Sequence, residues 1–410
     1  MNAVLAQTLA TRHGTPFYAY DLAGVSSRAA ELFAALPDGA SVCYSFKANP
    51  MPAIARRVRE AGCRAEITSE GELAAALAAG FTGDQMLFGG PGKTRLEIEA
   101  ALAAGIRLFS SESFRDLALL SDLCQQRGIT AQVLLRVNPA EAPDARLAMT
   151  GVESQFGFEE SLLLDPAASE RLLLPQLDVC GVHVYFGTQV SGVDALTANT
   201  QRALAAARRV QSALGFDCRI INAGGGFPWP YANDHTPPML DGLRQRLEGV
   251  WYGTDFAKGG TELWFESGRY LCAGSGWLVA RVLEVKSLAT KSFIILDTGI
   301  HHLGGMAGLG RVPRGAVTLQ NLSREVSADS LVTADLVGPL CTPLDCLARG
   351  LKIPPVEPGD LIGIPNVGAY GLTASLLAFL SHPPPVEIAH ENGQEIEVWR
   401  LRHGHERLSA

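Results

Sequence analysis

Short apolar runs alternate with Ala- and Leu-rich segments of helical spacing through the first two thirds of the chain. CYSFKA precedes PAIARRVREAG, AEIT precedes EGELAAALAAG, and QMLFGG precedes TRLEIEAALAAG; RLFS, AQVLLRVN, VCGVHVYFG and CRIINAGGG extend the series. The runs have strand length, and the segments between them repeat apolar residues at helical period, so the pattern predicts β-α units and a parallel sheet. About eight such units predict a closed (β/α)8 TIM-like barrel over residues 22–275, with the chemistry at the C-terminal strand ends. Beyond that the texture changes to Val- and Ile-rich strands broken by turns, in GWLVARVLEVKSL, KSFIILDTG, LVTADLVGPL, DLIGIPNVGAY and PVEIAHENGQEIEVWRLRH. Residues 276–410, with 1–21, are expected to form an antiparallel β domain of barrel or sandwich type. Asn392-Gly393 marks a hairpin turn within it.

The chain has 410 residues and a formal net charge of -8. Its length exceeds one small core and accommodates two units. An acidic balance argues against nucleic acid and anionic membrane as partners and favours a small-molecule substrate. The opening MNAVLAQTLATRHG lacks a basic stretch followed by an apolar one, and no apolar run reaches membrane-spanning length, so a cytoplasmic location is expected. Eight cysteines are scattered without a C-x-x-C pair. That spacing argues against a structural zinc site and a secreted disulfide framework, and no metal is expected.

Candidate chemistry begins with SVCYSFKANP, residues 41 to 50, where Lys47 ends an apolar strand. Burying an ammonium is costly, so Lys47 is either a side chain reaching for water at a strand end or a functional amine. INAGGGFPWPY places Gly224, Gly225 and Gly226 at another strand end. The triplet is either a tight turn or a nest of backbone amides that admits a phosphate closely. In FESGRY, Glu266 and Arg269 share one short turn and form either a local ion pair or parts of a site. A phosphate-bearing pyridinium cofactor needs these groups together: an amine for its aldehyde, an acid for its ring nitrogen, and amides with a guanidinium for its phosphate.

In order along the chain, Tyr44 to Asn49 (YSFKAN), Gly224 to Phe227 (GGGF), Glu266 to Arg269 (ESGR), Gly338 to Cys341 (GPLC) with Asp345, and Gly368 to Tyr370 (GAY) resemble the motif set of the fold-type III pyridoxal-phosphate decarboxylases. That family includes diaminopimelate and ornithine decarboxylases, and the resemblance spans nearly the whole chain. It implies pyridoxal 5'-phosphate as cofactor, Lys47 as its covalent anchor, Glu266 at the pyridine nitrogen, and phosphate held by the three glycines, Arg269 and Tyr370. It also implies a homodimer with active sites at the subunit interface, in which Cys341 serves the partner's site as the acid that returns a proton to the α-carbon. A racemase on the related barrel would use the same lysine but is disfavoured by G-P-x-C-x-x-x-D. A non-catalytic cofactor carrier would lack the second domain.

The chain departs from the best-known members in three places. Tyr185 stands where a histidine usually stacks on the cofactor ring, and an aromatic face preserves that stacking. His183, two residues earlier, is expected to be structural or to act behind the cofactor. The residue after Cys341 is Thr342 rather than an acid, and a neutral hydroxyl cannot balance a buried ammonium, so a simple diamino acid is disfavoured as substrate. The usual Arg-Pro-x-x-Tyr segment is replaced by LDTGIHHLGGMAGLGRVPR. Together with FGGPGKT, GPLCTPLDCL and FLSHPPPVEI, these departures resemble a biosynthetic subgroup that acts on conjugated amino acids. FGGPGKT and FLSHP favour the siderophore-pathway decarboxylases of citryl-diaminopropionate type, so a carboxylate-siderophore intermediate is the first substrate expected, with a carrier-bound amino acid as the alternative. Tyr185 and CTPLDCL favour the glutamyl-carrier-protein decarboxylase of butirosin biosynthesis, whose substrate is carrier-bound. Thr342, Asp345 and Arg311 are the substrate-binding candidates, and Arg311, Arg314, His301 and His302 form either a site for an anionic distal group or a solvated basic turn.

Overall fold

In the computed structural model, residues 1–139, 145–148, 154–172, 174–304, 317–324, 331–353 and 355–402 are described. Arg311 and Arg314 lie outside them. The chain divides into two compact units: Met1–Val25 with Trp229–Pro237 and Cys272–Ala410, and Ser26–Pro228 with Pro238–Leu271.

The larger unit is the closed parallel barrel. Its strands run Ser41–Ser45, Arg64–Ile67, Met86–Phe88, Leu108–Ser111, Ala131–Asn138, Leu177–His183, Ile220–Asn222 and Glu262–Ser267. Each pairs in parallel with the next, and Glu262–Ser267 returns to pair with Ser41–Ser45, closing the ring. Inward-facing Cys43, Leu87, Leu108, Leu134, Cys180, Ile220 and Trp264 fill the interior as one apolar cluster. The covering helices begin where the sequence supplies oxygen acceptors: Ser69, Thr94 and Ser113 accept the amides of Glu72, Glu97 and Asp116 and satisfy donors that a first turn leaves free.

The smaller unit is built on a sheet whose central strand is Gly276–Ser287, flanked by Phe17–Asp21, Ser292–Leu296 and Leu361–Ile364. Most pairings are antiparallel. Among the described residues two are parallel, Phe17–Asp21 with Val386–Glu391 and Ser292–Leu296 with Val332–Val337, so the sheet is mixed rather than purely antiparallel. Long connections between these partners remove the hairpin constraint that would impose antiparallel pairing. The hairpin at Asn392-Gly393 is present, with positive φ at both residues as its turn requires. The helix Ala3–His13, capped by Asn2, packs Ala6, Leu9 and Ala10 onto Phe17, Val279, Leu361 and Ile388. Among the described residues no helix is long and apolar enough to cross a membrane, and no group of three or more His, Cys, Asp or Glu residues is arranged to hold a metal ion.

Candidate active site

The barrel strands deliver a set of polar side chains at their C-terminal ends. Lys47 leaves the Ser41–Ser45 strand in a single turn, Phe46–Ala48, which is braced by Tyr44 Oη donating to the Asn49 carbonyl at 2.7 Å and by Met51 N donating to Asn49 Oδ1 at 3.0 Å. The lysine side chain is 39% exposed, so its amine is not a buried charge. Nζ stands 3.4 Å from Glu66 Oε2 on the next strand and 5.6 Å from the centre of the Tyr185 ring. Gly268 makes room for the Phe46–Ala48 turn, because a Cβ there would lie 2.5 Å from that of Ala48.

Glu266 is 2% exposed and central to the polar network. Its Oε1 lies 3.1 Å from His183 Nε2 and accepts Asn222 Nδ2 at 2.8 Å, while His183 Nδ1 meets Ser110 Oγ at 2.8 Å. Burial would raise the Glu266 carboxyl, but the charge and hydrogen bond of His183, with the more distant charges of Lys47 and Arg136, outweigh it and hold the group down at about 2. The carboxylate is therefore ionised at neutral pH. His183, expected to be structural or to act behind the cofactor, stands directly behind this carboxylate with its ring turned onto Oε1.

Gly224, Gly225 and Gly226 follow the Ile220–Asn222 strand. Gly224 and Gly226 have positive φ, and a Cβ on Gly225 would overlap the Glu266 carbonyl oxygen. Glycine is required here by close backbone approach as much as by the turn. Asn222 Oδ1 accepts Gly224 N at 2.9 Å, and Gly224 O accepts Glu266 N at 2.7 Å, so the glycine run and the carboxylate are held by the same backbone.

Sequence reading missed a second buried network at the barrel's strand ends. Arg136 donates to Glu112 Oε1 at 2.8 Å and lies over the Phe156 ring at 4.9 Å, and Glu112 Oε2 accepts Gly157 N at 2.9 Å. The Lys93 ammonium is buried against Asp116 Oδ2 at 2.7 Å and the Gly90 carbonyl at 2.8 Å. The available signal was a charge inside an apolar run, Arg136 in VLLRVN, as it was for Lys47.

Arg269, also in the larger unit, is buried at the start of the short helix Arg269–Cys272 that follows the Glu262–Ser267 strand, whereas Cys341, Thr342, Asp345, Tyr370, His301 and His302 belong to the smaller unit. Cys341 is exposed on the turn 338–345, and Thr342 Oγ1 accepts Leu344 N at 3.3 Å. Tyr370 is buried with φ of 58°, and Tyr231 Oη donates to its carbonyl at 3.3 Å. Asp345, read from sequence as a substrate ligand, is instead buried with Oδ1 accepting Ile300 N at 2.9 Å and Oδ2 accepting Leu340 N at 2.8 Å. Both oxygens are engaged by main chain, so the carboxylate is not presented to a ligand. His301 and His302 are likewise buried, and burial, with the His382 charge, lowers His301 to about 4. It is uncharged at neutral pH, which removes the electrostatic ground for pairing it with an anion.

The barrel site fits pyridoxal 5'-phosphate: an accessible amine beside an aromatic face, an ionised buried carboxylate, and a glycine cradle that any side chain would fill.

A family model described as "Pyridoxal-dependent decarboxylase, pyridoxal binding domain" matches residues 22–273. The chain is 34% identical to the L-glutamyl-[BtrI acyl-carrier protein] decarboxylase of Niallia circulans, over 94% of this chain and 91% of that one. It is 31% identical to a diaminopimelate decarboxylase of Helicobacter pylori, over 96% and 94%. Among solved structures, Helicobacter pylori diaminopimelate decarboxylase complexed with L-lysine superposes with a TM-score of 0.81 at 28% identity, covering 96% of this chain and 95% of that one.

Proposed function

This chain belongs to the pyridoxal-dependent decarboxylases and is a carboxy-lyase of amino-acid type; on that premise we propose that its substrate is an amino acid conjugated at its distal end, of the glutamyl-carrier-protein kind. The observation that carries this reading is Thr342. In the resembled diaminopimelate and ornithine enzymes an acid at this position pairs with a distal ammonium, and a threonine hydroxyl offers no such charge. The similarity to a decarboxylase named for a glutamyl-carrier-protein substrate supports it. A carboxylate-siderophore intermediate of citryl-diaminopropionate type is the second reading, favoured by the FGGPGKT segment.

Bound pyridoxal phosphate supplies an electron sink for the pair left at the α-carbon when carbon dioxide departs. The chain's residues divide the remaining work. Lys47 would anchor the cofactor, and Tyr185 would offer its aromatic face to the ring. Glu266, ionised at neutral pH, would keep a proton on the pyridine nitrogen. Gly224, Gly225 and Gly226 would receive the phosphate, with Arg269 as its polar partner; Tyr370 is assigned to the phosphate by the family's G-A-Y motif alone. Cys341 returns a proton to the α-carbon in a partner subunit's site, so the working form is a homodimer, placed in the cytoplasm.

Carbon dioxide release from glutamyl-carrier protein, citryl-diaminopropionate, diaminopimelate and ornithine tests the proposal. Turnover confined to the first two is expected, with the carrier-bound substrate preferred. Turnover of only diaminopimelate and ornithine would overturn the reading of Thr342.

A further inference from the structure

Two turns of the smaller unit meet at one buried carboxylate. The turn 338–345 carries Cys341 and Thr342 and is closed by its own main chain: Thr342 N donates to Leu340 O at 2.8 Å, Asp345 N to Thr342 O at 3.1 Å, and Gly338 N to Asp345 O at 3.2 Å. The turn after the Ser292–Leu296 strand carries His301 and His302. It is closed by His302 N and Leu303 N donating to Gly299 O at 3.0 and 2.9 Å, and Tyr18 Oη donates to the His302 carbonyl at 2.6 Å. Asp345 links the two turns, one oxygen accepting Leu340 N within its own turn and the other accepting Ile300 N across the gap.

The fit around the carboxylate is tight from both sides. A Cβ on Gly299 would overlap Asp345 Oδ1, and one on Gly338 would overlap Oδ2 and stand 2.6 Å from the Gly299 Cα. Two main-chain donors require two acceptor oxygens. A carboxylate supplies them, while an amide of the same shape supplies only one and turns an N–H toward the other donor. Hydrogen bonds to an ionised acceptor are also the stronger kind.

We infer that Asp345 is a positioning residue: it fixes the Cys341 turn against the His301–His302 turn by accepting one backbone N–H from each, and it does not bind substrate. The tether holds the thiol-bearing turn in one place. Its consequence for turnover rests on the assignment of Cys341 as the proton donor, whereas the tether itself does not.

The test is Asp345→Asn in the full-length holoenzyme, with site-resolved alkylation by iodoacetamide read by mass spectrometry. Freed of one anchor, Cys341 is expected to alkylate several-fold faster, while half-buried Cys346, on the adjoining strand, keeps its wild-type rate. A general loss of stability would move both. On the preferred substrate, kcat is expected to fall about tenfold with KM changed less than about twofold, the pattern of a group that does not contact bound substrate. An unchanged Cys341 rate, or a raised KM with intact kcat, overturns the inference. Should Asp345→Asn not fold, Gly338→Ala, which crowds the carboxylate without removing it, must show the same selective rise in Cys341 alkylation or the inference fails. The assignment of Cys341 fails separately: wild-type turnover by Cys341→Ala would remove it while leaving the alkylation result to decide the tether.

Discussion

Replacing His183 by Asn tests whether Glu266 is held ionised by its neighbour. Asparagine keeps a polar side chain of similar reach toward Ser110 but removes the imidazole whose Nε2 lies 3.1 Å from Glu266 Oε1. Glu266 stands at about 2 against an ordinary 4.5. At about 1.36 kcal/mol per pH unit, that difference corresponds to roughly 3 kcal/mol. His183 is the largest of the influences that lower the group, so its removal is expected to give up a substantial part of that sum. The range of about 3–5 kcal/mol for deleting one partner of a buried pair agrees in scale. The sign follows from the folded carboxyl being the stronger acid. The stabilisation is whole above pH 4.5 and is lost as pH falls from 4.5 through about 2. Denaturant unfolding at pH 7 should therefore show His183→Asn less stable than wild type by about 2–3 kcal/mol, with the difference shrinking below about pH 4.5. In the same variant the acid limb of kcat/KM should move to higher pH by about one unit or more, because Glu266 then takes up its proton earlier. Unchanged stability at pH 7 together with an unchanged acid limb would refute the reasoning.

Two further perturbations probe the cradle and the second unit. Gly225→Ala places a methyl group where the Glu266 carbonyl oxygen already lies, so the purified variant should retain little bound pyridoxal phosphate by its visible absorbance; wild-type occupancy and melting temperature would show that the backbone is not so constrained. Glu387 is buried with Tyr20 Oη donating to it at 3.0 Å, and burial raises it to about 7. Its folded form holds the proton more tightly than the unfolded chain, so wild type should lose roughly 3 kcal/mol as pH rises from about 4.5 to about 7. Glu387→Gln should flatten that part of the stability profile, and parallel profiles for the two proteins would exclude the linkage.

Local pattern determined a good deal of this protein. Strand-length apolar runs followed by helical segments predict a parallel sheet with covering helices, and about eight of them in succession match the count of a closed barrel. Asn392-Gly393 dictates its hairpin because both residues tolerate positive φ. Lys47 was legible as chemistry because an ammonium is a costly group to set at the end of an apolar run, and the ordered motifs around it pointed to the cofactor.

What short-range pattern cannot carry is which side chain answers which charge. Glu66 faces Lys47, and His183 and Asn222 face Glu266, because parallel strand pairing brings the ends of strands separated in sequence to neighbouring positions. The same holds for Asp345. By its motif it reads as a substrate ligand, yet folding buries it between Gly299 and Gly338 and turns both oxygens onto backbone amides. A residue's type limits the bonds it can make, but burial and the donors within reach decide which of them it makes, and those are properties of the tertiary structure.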